Sequence, residues 1–427
     1  MILEFEVENY RSIKERQVFS MIAESSKSKP KNVFEHQLAN GETIRLLKAA
    51  VVYGANASGK SNLLKAFASL RDFVLAKLSV NDPIEFYDPF LFDVNSTKLP
   101  TNLILTFIGS NNHKYRYTIS YNRNRVIEEV LDFFPKGKPQ NLFKRLLSST
   151  NSEDIHIAKL GQIRNYKEIK VFKNQLVLSK FGFSTPDDFF LPIYKYFDKN
   201  NFSILNPDFE KHLERYRHTD GKRLVDNPEI YDYLNRLIQV LDTKVGKITV
   251  QESIENSGND TSSKLQKKYR TVGEHFVYDN KQKVGARLLT FEQQSKGSNL
   301  LFYLGGVILY MLKLGGTFMI DEIDTSLHPN LAKTLIQLFQ SPIANPKNAQ
   351  IIFTTHETAF LDKDLFRKDQ IWFTEKNEYG ETELFSIQDF DKVREDTPFD
   401  KWYLAGKFGG IPDIQEIEAI FSNGTAK

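Results

Sequence analysis

Apolar and charged side chains alternate from the first residues of the chain: Leu3, Phe5 and Val7 fall between Glu4, Glu6 and Glu8. A period of two predicts a β-strand with one buried face. Ala49-Ala50-Val51-Val52-Tyr53 is a short apolar run ending at Gly54, the pattern of a strand buried on both faces. From Lys60 to Lys77 the period lengthens, with Leu63, Leu64, Phe67, Leu70 and Val74 on one helical face. Between Pro89 and Phe134 it returns to two. Leu103, Leu105 and Phe107 are followed by Tyr115, Tyr117 and Ile119, with a turn expected at Asn111-Asn112, and the whole predicts an antiparallel meander.

The middle of the chain reads differently. Asp187 to Asn200, Phe209 to Arg217 and Pro228 to Leu241 look helical and are joined by polar loops, so an inserted helical lobe is expected over residues 140–264. No sustained heptad predicts a coiled-coil arm. Ser253 to Ser263 is polar and glycine-containing and is expected to be a loop; Tyr269 to Phe291 returns to strands, turning at Asp279-Asn280. A helix is expected from about Asn299 to Lys313, and apolar strands at Gly316–Glu322 and Ile351–His356. The expected organisation is therefore an N-terminal half-domain (1–139), the lobe (140–264) and a C-terminal half-domain (265–427).

The boundary between the second strand and the first helix carries the strongest chemical signal. Gly54-Ala55-Asn56-Ala57-Ser58-Gly59-Lys60-Ser61 satisfies G-x-x-x-x-G-K-[ST]. Small residues let the backbone N–H groups of Asn56, Ala57, Ser58 and Gly59 wrap phosphates. Lys60 brings a cation to the β- and γ-phosphates, the Ser61 hydroxyl is a magnesium ligand, and the helix presents its positive dipole end. The chemistry implied is ATP with Mg²⁺.

A second block suits hydrolysis. Gly316-Thr317-Phe318-Met319-Ile320 runs into the carboxylates Asp321 and Glu322. Read as an ABC-type pair, Asp321 holds the magnesium, and Glu322 polarises the attacking water as general base. His356 ends the next strand, where it can donate to the γ-phosphate. Asp324 between them is expected at a dimer seam, and His328 in a structural role. Ser295-Lys296-Gly297-Ser298 opens the preceding helix; Ser295, Gly297 and Ser298 are expected to reach the γ-phosphate of a second subunit rather than their own. Tyr53 is expected in the core, and Lys264, Lys267, Lys268 and Arg270 on a solvated hairpin.

Composition narrows the class. Of 427 residues 41% are hydrophobic and 26% charged, with 34 Phe and 18 Tyr, so a large core can form. The net charge of +3 is too mild to demand nucleic acid, and DNA binding stays open. There is no cysteine, which excludes disulfides, thiolate metal sites and cysteine catalysis. Acids at the N-terminus and the lack of an uninterrupted apolar run of membrane length lead to the expectation of a cytoplasmic protein with no membrane partner.

Together these elements resemble the ABC-type heads of the SMC and RecF ATPases, and within that group the compact ATPases of prokaryotic anti-phage defence loci, of the RloA and AriA kind. Glu8-Asn9-Tyr10-Arg11-Ser12-Ile13 is similar to the N-terminal strand of this group, whose arginine, here Arg11, can approach the nucleotide. The phosphate loop, Asp321-Glu322-Ile323-Asp324 and His356 fit position by position. Tyr403-Leu404-Ala405-Gly406-Lys407-Phe408-Gly409-Gly410-Ile411-Pro412 looks like the C-terminal signature of the short defence ATPases. The resemblance covers roughly residues 1–135 and 265–415. It implies an α/β fold, an ABC-type P-loop ATPase head with a mixed sheet and an antiparallel meander plus the helical lobe, working as a homodimer of heads or a higher oligomer.

Two departures stand out. Lys296 and Gly297-Ser298 follow the signature serine where transporters and SMC proteins carry two glycines and then glutamine or glutamate. No glutamine loop can be placed, and Glu128 and Glu129 are candidates for that magnesium ligand by position alone. Some relatives add a metal nuclease domain of about a hundred residues; residues 357–427 carry no convincing Asp-x-Asp, so a separate effector, a nuclease or toxin, is expected. The resulting functional expectation is an ATPase that acts as sensor or scaffold for that effector in anti-phage defence. The alternative is a RecF-like DNA-repair clamp that binds DNA across the head dimer.

Overall fold

The computed structural model describes residues 1–147, 153–157, 171–184, 190–198, 202–205, 221–241, 245–257, 264–290, 293–325, 327–391, 393–394 and 396–410. The chain divides into two compact units, one made of Met1–Asp198 with Ile352–Lys427, the other of Lys199–Ile351.

The first unit opens with β1 (Ile2–Glu8), β2 (Gln17–Ser20), β3 (Val33–Gln37), β4 (Thr43–Leu47) and β5 (Ala49–Gly54), then helix α1 (Lys60–Leu75). The meander follows as β6 (Thr101–Ile108), β7 (Lys114–Tyr121), β8 (Val126–Phe133), β9 (Gln140–Leu147) and β10 (Glu153–Ile157). The meander strands join β1 and β2 in one antiparallel sheet in the order β10-β9-β8-β7-β6-β1-β2, while β3 and β4 pair with each other. Its register sets Leu103 opposite Ile119, Leu105 opposite Tyr117 and Phe107 opposite Tyr115, so the alternating apolar residues share one buried face. Phe5 of β1 stacks on Phe67 of α1 at 3.8 Å between centroids, which docks the expected helical stripe on this sheet. Glu6 breaks the alternation: it is buried with its neighbours and is held by Arg16 and Arg116. Buried carboxylates persist when paired in this way.

A short helix, α2 (Leu191–Tyr196), also belongs to the first unit. In the second unit, β11 (Phe202–Leu205) runs parallel to β15 (Thr317–Ile320). Helix α3 (Pro228–Leu241), the antiparallel strands β12 (Val245–Ser257), β13 (Lys264–Asp279) and β14 (Gln282–Thr290), helix α4 (Lys296–Leu314) and helix α5 (Pro329–Gln340) complete it. Its core joins Leu224, Ile230, Leu234 and Ile238 to Val245, Ile248 and Phe302. Strand β16 (Gln350–Thr354) spans the division of the chain. β17 (Ile371–Lys376), β18 (Thr382–Ser386) and the short helix α6 (Phe399–Leu404) return to the first unit. There β17 pairs parallel with β5 and antiparallel with β18, giving the mixed sheet that was expected.

The expected helical lobe needs correction. β9 and β10 extend the meander beyond residue 139, with Phe143 opposite Leu131, and β11 and β12 also fall within residues 140–264. The divisions lie at 198/199 and 351/352 instead. Leu142, Phe143 and Arg145 are buried along a strand too short for its period to be told from a helix turn. Ser253 to Ser257, expected in a loop, instead pair with Lys268 to Lys264; the rest of that expected loop, 258–263, lies outside the described residues. The helix expected over Phe209–Arg217 lies outside the described residues. Among those described, α4 alone is long and apolar enough to cross a membrane, over Gly297–Leu314 with mean hydropathy 1.3, and half of that window is buried in the protein.

Candidate functional site: the phosphate loop and the carboxylate pair

In the first unit the loop leaves β5 at Gly54 and enters α1 at Lys60. Two glycines are obligatory by geometry. Gly54 has φ 152° and a Cβ there would overlap the Thr374 carbonyl. Gly59 has φ 114°, and its Cβ would overlap the Thr382 side chain. Ala57 is also left-handed, at φ 64°. Successive turns of this kind aim backbone N–H groups into one concavity, the geometry that binds anions.

Lys60 is 4% exposed. Its ammonium donates to the carbonyls of Gly54 (2.8 Å) and Ala55 (3.1 Å), so the cation rests inside its own loop. It also lies 3.4 Å from Nδ1 of His356. An ammonium can only donate, so Nδ1 accepts, and a neutral imidazole then carries its proton on Nε2. His356 is thus brought to the loop, although 296 residues separate it from Lys60. Ser61 stands in the first turn of α1. The Ser58 hydroxyl contacts Thr374 Oγ1 at 2.6 Å and its N–H donates to Ala55, so in this arrangement Ser58 shapes the loop. Asn56 and Ala57 are exposed at the tip.

Arg11 is held beside the loop by the turn after β1. Asn9 and Arg11 both adopt left-handed φ, at 49° and 53°. Arg11 Nε pairs with Asp88 at 2.7 Å, and Nη1 reaches Asn62 Oδ1 of α1 at 3.4 Å. The Asn9 amide donates to the carbonyls of Ser96, Leu99 and Pro100 and accepts from the N–H of Phe90, which fastens the segment following Asp88. At the other end of the chain Gly406, Gly409 and Gly410 make left-handed turns, and a Cβ on Gly410 would sit 3.7 Å from Cα of Gly54. Tyr403 stacks on Phe373 and donates to the Gly410 carbonyl at 3.0 Å. The glycine-rich segment Gly406–Gly410 is therefore packed against the start of the phosphate loop; Ile411 and Pro412 lie outside the described residues. Tyr53 is fully buried among Phe373 and Tyr403, a core residue as expected.

In the second unit, Asp321 follows β15 with 4% exposure, and its N–H donates to the Leu205 carbonyl. Glu322 has φ 54°. A non-glycine residue in this region costs on the order of 1–3 kcal/mol, and such strain concentrates at functional sites. Thr325 steadies it, donating N–H to the Glu322 carbonyl at 3.0 Å and Oγ1 to its carboxylate at 3.3 Å. Asp324 lies in the same turn, partly buried. Ser295 caps α4, its hydroxyl accepting from the Ser298 N–H at 3.1 Å; Gly297 lies in the first helical turn. His328 caps α5 through Asn330, the structural role expected of it.

Glu129 is not an exposed metal ligand. It is fully buried in β8, and its carboxylate accepts from Tyr117 Oη (2.8 Å) and from the N–H groups of Val177 (2.6 Å) and Leu178 (3.0 Å). Burial pushes its pKa up, against the hydrogen bonds from Leu178 and Val177 and the charge of Arg145. Position along the chain suggested a magnesium role; the side chain instead faces a buried helical turn, Val177–Ser179. Among the described residues no cluster of three His, Asp or Glu side chains is arranged to hold a metal by itself. The hydroxyl of Ser61 and the carboxylate of Asp321 are hard oxygen donors, the kind Mg²⁺ takes alongside phosphate and water.

A family model described as "AAA domain, putative AbiEii toxin, Type IV TA system" matches residues 49–362, from the phosphate strand past His356. The chain belongs to this AAA-domain family. Comparison with curated proteins found no match. Among solved structures the chain is similar to an SMC head bound to the C-terminal winged-helix domain of ScpA, at 14% identity and TM-score 0.43, covering 90% of this chain and 97% of that one. It is similar to the recombination mediator RecF with ATP, at 13% identity and TM-score 0.39, with 90% and 97% covered. It is also similar to an Smc head with coiled coil and joint from Pyrococcus yayanosii, at 12% identity and TM-score 0.40, with 95% and 99% covered.

The residues that sequence reasoning missed are Thr374 and Thr382. Both support the loop from strands more than 300 residues away. A threonine in a strand is ordinary, so the sequence carries no signal for either.

Proposed function

We propose that the chain binds ATP with Mg²⁺ and hydrolyses it as an ABC-type ATPase in the cytoplasm. The observation that carries this reading is the loop itself: Lys60 held by the Gly54 and Ala55 carbonyls, with His356 at 3.4 Å. ATP then offers phosphate oxygens to a cation that already lies inside its anion-binding turn. In the proposal Asn56, Ala57, Ser58 and Gly59 line the phosphates and Arg11 approaches the nucleotide. Ser61 and Asp321 hold the magnesium. Glu322 takes the proton of the water that attacks the γ-phosphorus, and ADP leaves. His356 steadies the γ-phosphate through Nε2. Ser295, Gly297 and Ser298 complete the site of a second copy, with Asp324 at the seam between them.

The family description, which names a toxin of a type IV toxin–antitoxin system, supports placing this cycle in prokaryotic conflict systems. Our reading is an ATP-driven sensor or scaffold that controls a separate effector, a nuclease or toxin, against phage. The test pairs two variants. Lys60→Ala should lose tight ATP binding in a calorimetric titration. Glu322→Gln should keep binding while hydrolysis falls at least about a hundredfold, the scale of a lost general base, and light scattering should show it dimerising with ATP. Normal turnover by Glu322→Gln would remove Glu322 from the role of base. The RecF-like alternative draws on exposed Arg270, Lys281, Lys283 and Arg287 of β13, β14 and their turn. DNA-stimulated hydrolysis with a steep salt dependence would favour it.

A further inference from the structure

The side chains behind the phosphate loop form a chain of hydrogen bonds that runs from Arg11 to the Ser58 carbonyl. Thr382, 2% exposed at the start of β18, places its hydroxyl 2.7 Å from the Ser58 carbonyl and 2.7 Å from Ser12 Oγ. Ser12 Oγ is in turn 2.7 Å from Asn62 Nδ2, in the first turn of α1. The direction of the chain follows from the chemistry of its ends. The Ser58 carbonyl can only accept, so Thr382 is the donor there, and its one proton is shared between that carbonyl and Ser12 Oγ. Ser12 Oγ is the acceptor in both of its contacts, taking the Thr382 hydroxyl and the Asn62 amide. That amide is oriented by Arg11, whose guanidinium faces its oxygen. The order is Arg11, Asn62, Ser12, Thr382, Ser58, from the nucleotide-approaching arginine back to the loop. Two neighbouring contacts hold the frame: the Thr382 N–H donates to the Ser12 carbonyl at 2.7 Å, and the Lys14 ammonium pairs with the Glu381 carboxylate at 2.9 Å.

We propose that Ser12 and Thr382 are positioning residues for ATP binding, fixing the Ser58–Gly59 peptide so that the loop's N–H groups point at the phosphates. The proposal rests on the ATP reading given above. Thr382 acts on the peptide at its carbonyl, the one part of the unit that cannot touch an anion. Anchoring the carbonyl below the loop turns the Gly59 N–H, on the other side of the same planar peptide, toward the concavity. Ser12 holds the Thr382 hydroxyl in place as its second acceptor and ties the loop to the turn that carries Arg11. Neither side chain needs to touch the nucleotide.

The test is calorimetric titration of the full chain with MgATP, beside thermal unfolding without nucleotide. Thr382→Val keeps the shape and removes the hydroxyl, leaving the Ser58 carbonyl without its partner. We expect ATP affinity to fall roughly tenfold, the scale of one buried hydrogen bond lost with its acceptor stranded. Thr382→Ser should restore affinity to within about threefold of wild type by the same reckoning. Ser12→Ala should weaken binding in the same direction, and the double variant should lose no more than Thr382→Val alone, because both act through one chain. Fully additive losses would overturn the relay. So would wild-type affinity in Thr382→Val, or losses that track only a lower unfolding temperature and are not rescued by serine. Should Thr382→Val fail to fold, Ser12→Ala with unchanged affinity would overturn the proposal by itself. A wild-type chain that binds no ATP would overturn the parent reading and this one together, whereas wild-type binding with insensitive variants overturns this one alone.

Discussion

Replacing Glu129 by glutamine separates a structural carboxylate from a metal ligand. In the wild type Oε1 accepts from Tyr117 and Leu178, and Oε2 accepts from Val177 at 2.6 Å. Glutamine can keep its oxygen where Oε1 stands. Its amide nitrogen then faces the Val177 N–H, donor against donor. One charge-assisted bond is lost, worth about 1.5–3 kcal/mol, and a buried N–H is left unpaired. The buried Arg145 also loses a compensating charge. Against this, glutamine removes the cost of burying a carboxylate. The net expectation is a loss of about 3 kcal/mol, read as a lower urea midpoint.

The pH dependence gives a second reading of the same variant. The folded pKa of Glu129 is raised by burial. An acid with a raised folded pKa contributes stability that is present below its unfolded value and is lost as pH rises through the folded one. Glutamine does not titrate, so the stability gap between wild type and variant should be widest in mild acid and should narrow as pH rises. Magnesium-dependent ATP hydrolysis per folded molecule should be unchanged. A variant with the wild-type urea midpoint that has lost magnesium-dependent turnover would refute this account and return Glu129 to the metal.

Two further outcomes probe the loop and the proposed dimer. Gly59→Ala should leave the fold in place but weaken ATP binding by at least about tenfold, since a left-handed backbone and overlap with Thr382 together cost on the order of 1–3 kcal/mol; unchanged calorimetric affinity would show that the loop relaxes freely. Cysteines introduced by Ser298→Cys and Ala57→Cys should crosslink between chains only when ATP is present, a clean experiment in a chain without native cysteine; crosslinks confined to single chains would leave Ser295 as a helix cap and nothing more.

The phosphate loop was legible because its chemistry demands fixed residue types at fixed spacing, and the flanking strand and helix announced themselves by period. The meander was legible for the same reason: Leu103, Leu105 and Phe107 face Ile119, Tyr117 and Tyr115 on one buried side. Residues 140–147 and 153–157 are strands where a helical lobe is expected, because short segments carry too few periods to discriminate. Glu129 was misplaced because linear position says nothing about which way a strand side chain points. Thr374 and Thr382 were invisible because their role depends on β17 returning beside β5, a long-range pairing with no local signature. Glu322 illustrates the middle case: its type and place suggested chemistry, while its left-handed backbone could be learned only from the fold.

The dependence of the phosphate loop on Thr374, Thr382 and Gly410 has a consequence for biosynthesis. The loop itself is complete at Ser61, yet the groups that brace it leave the ribosome some three hundred residues later. At about 5–20 residues per second, that interval is on the order of tens of seconds. Throughout it the nascent chain carries the nucleotide motif without its support. Bracing of the loop therefore waits until β17, β18 and Gly410 have been made, and products that stop short of β17 carry the motif without those contacts.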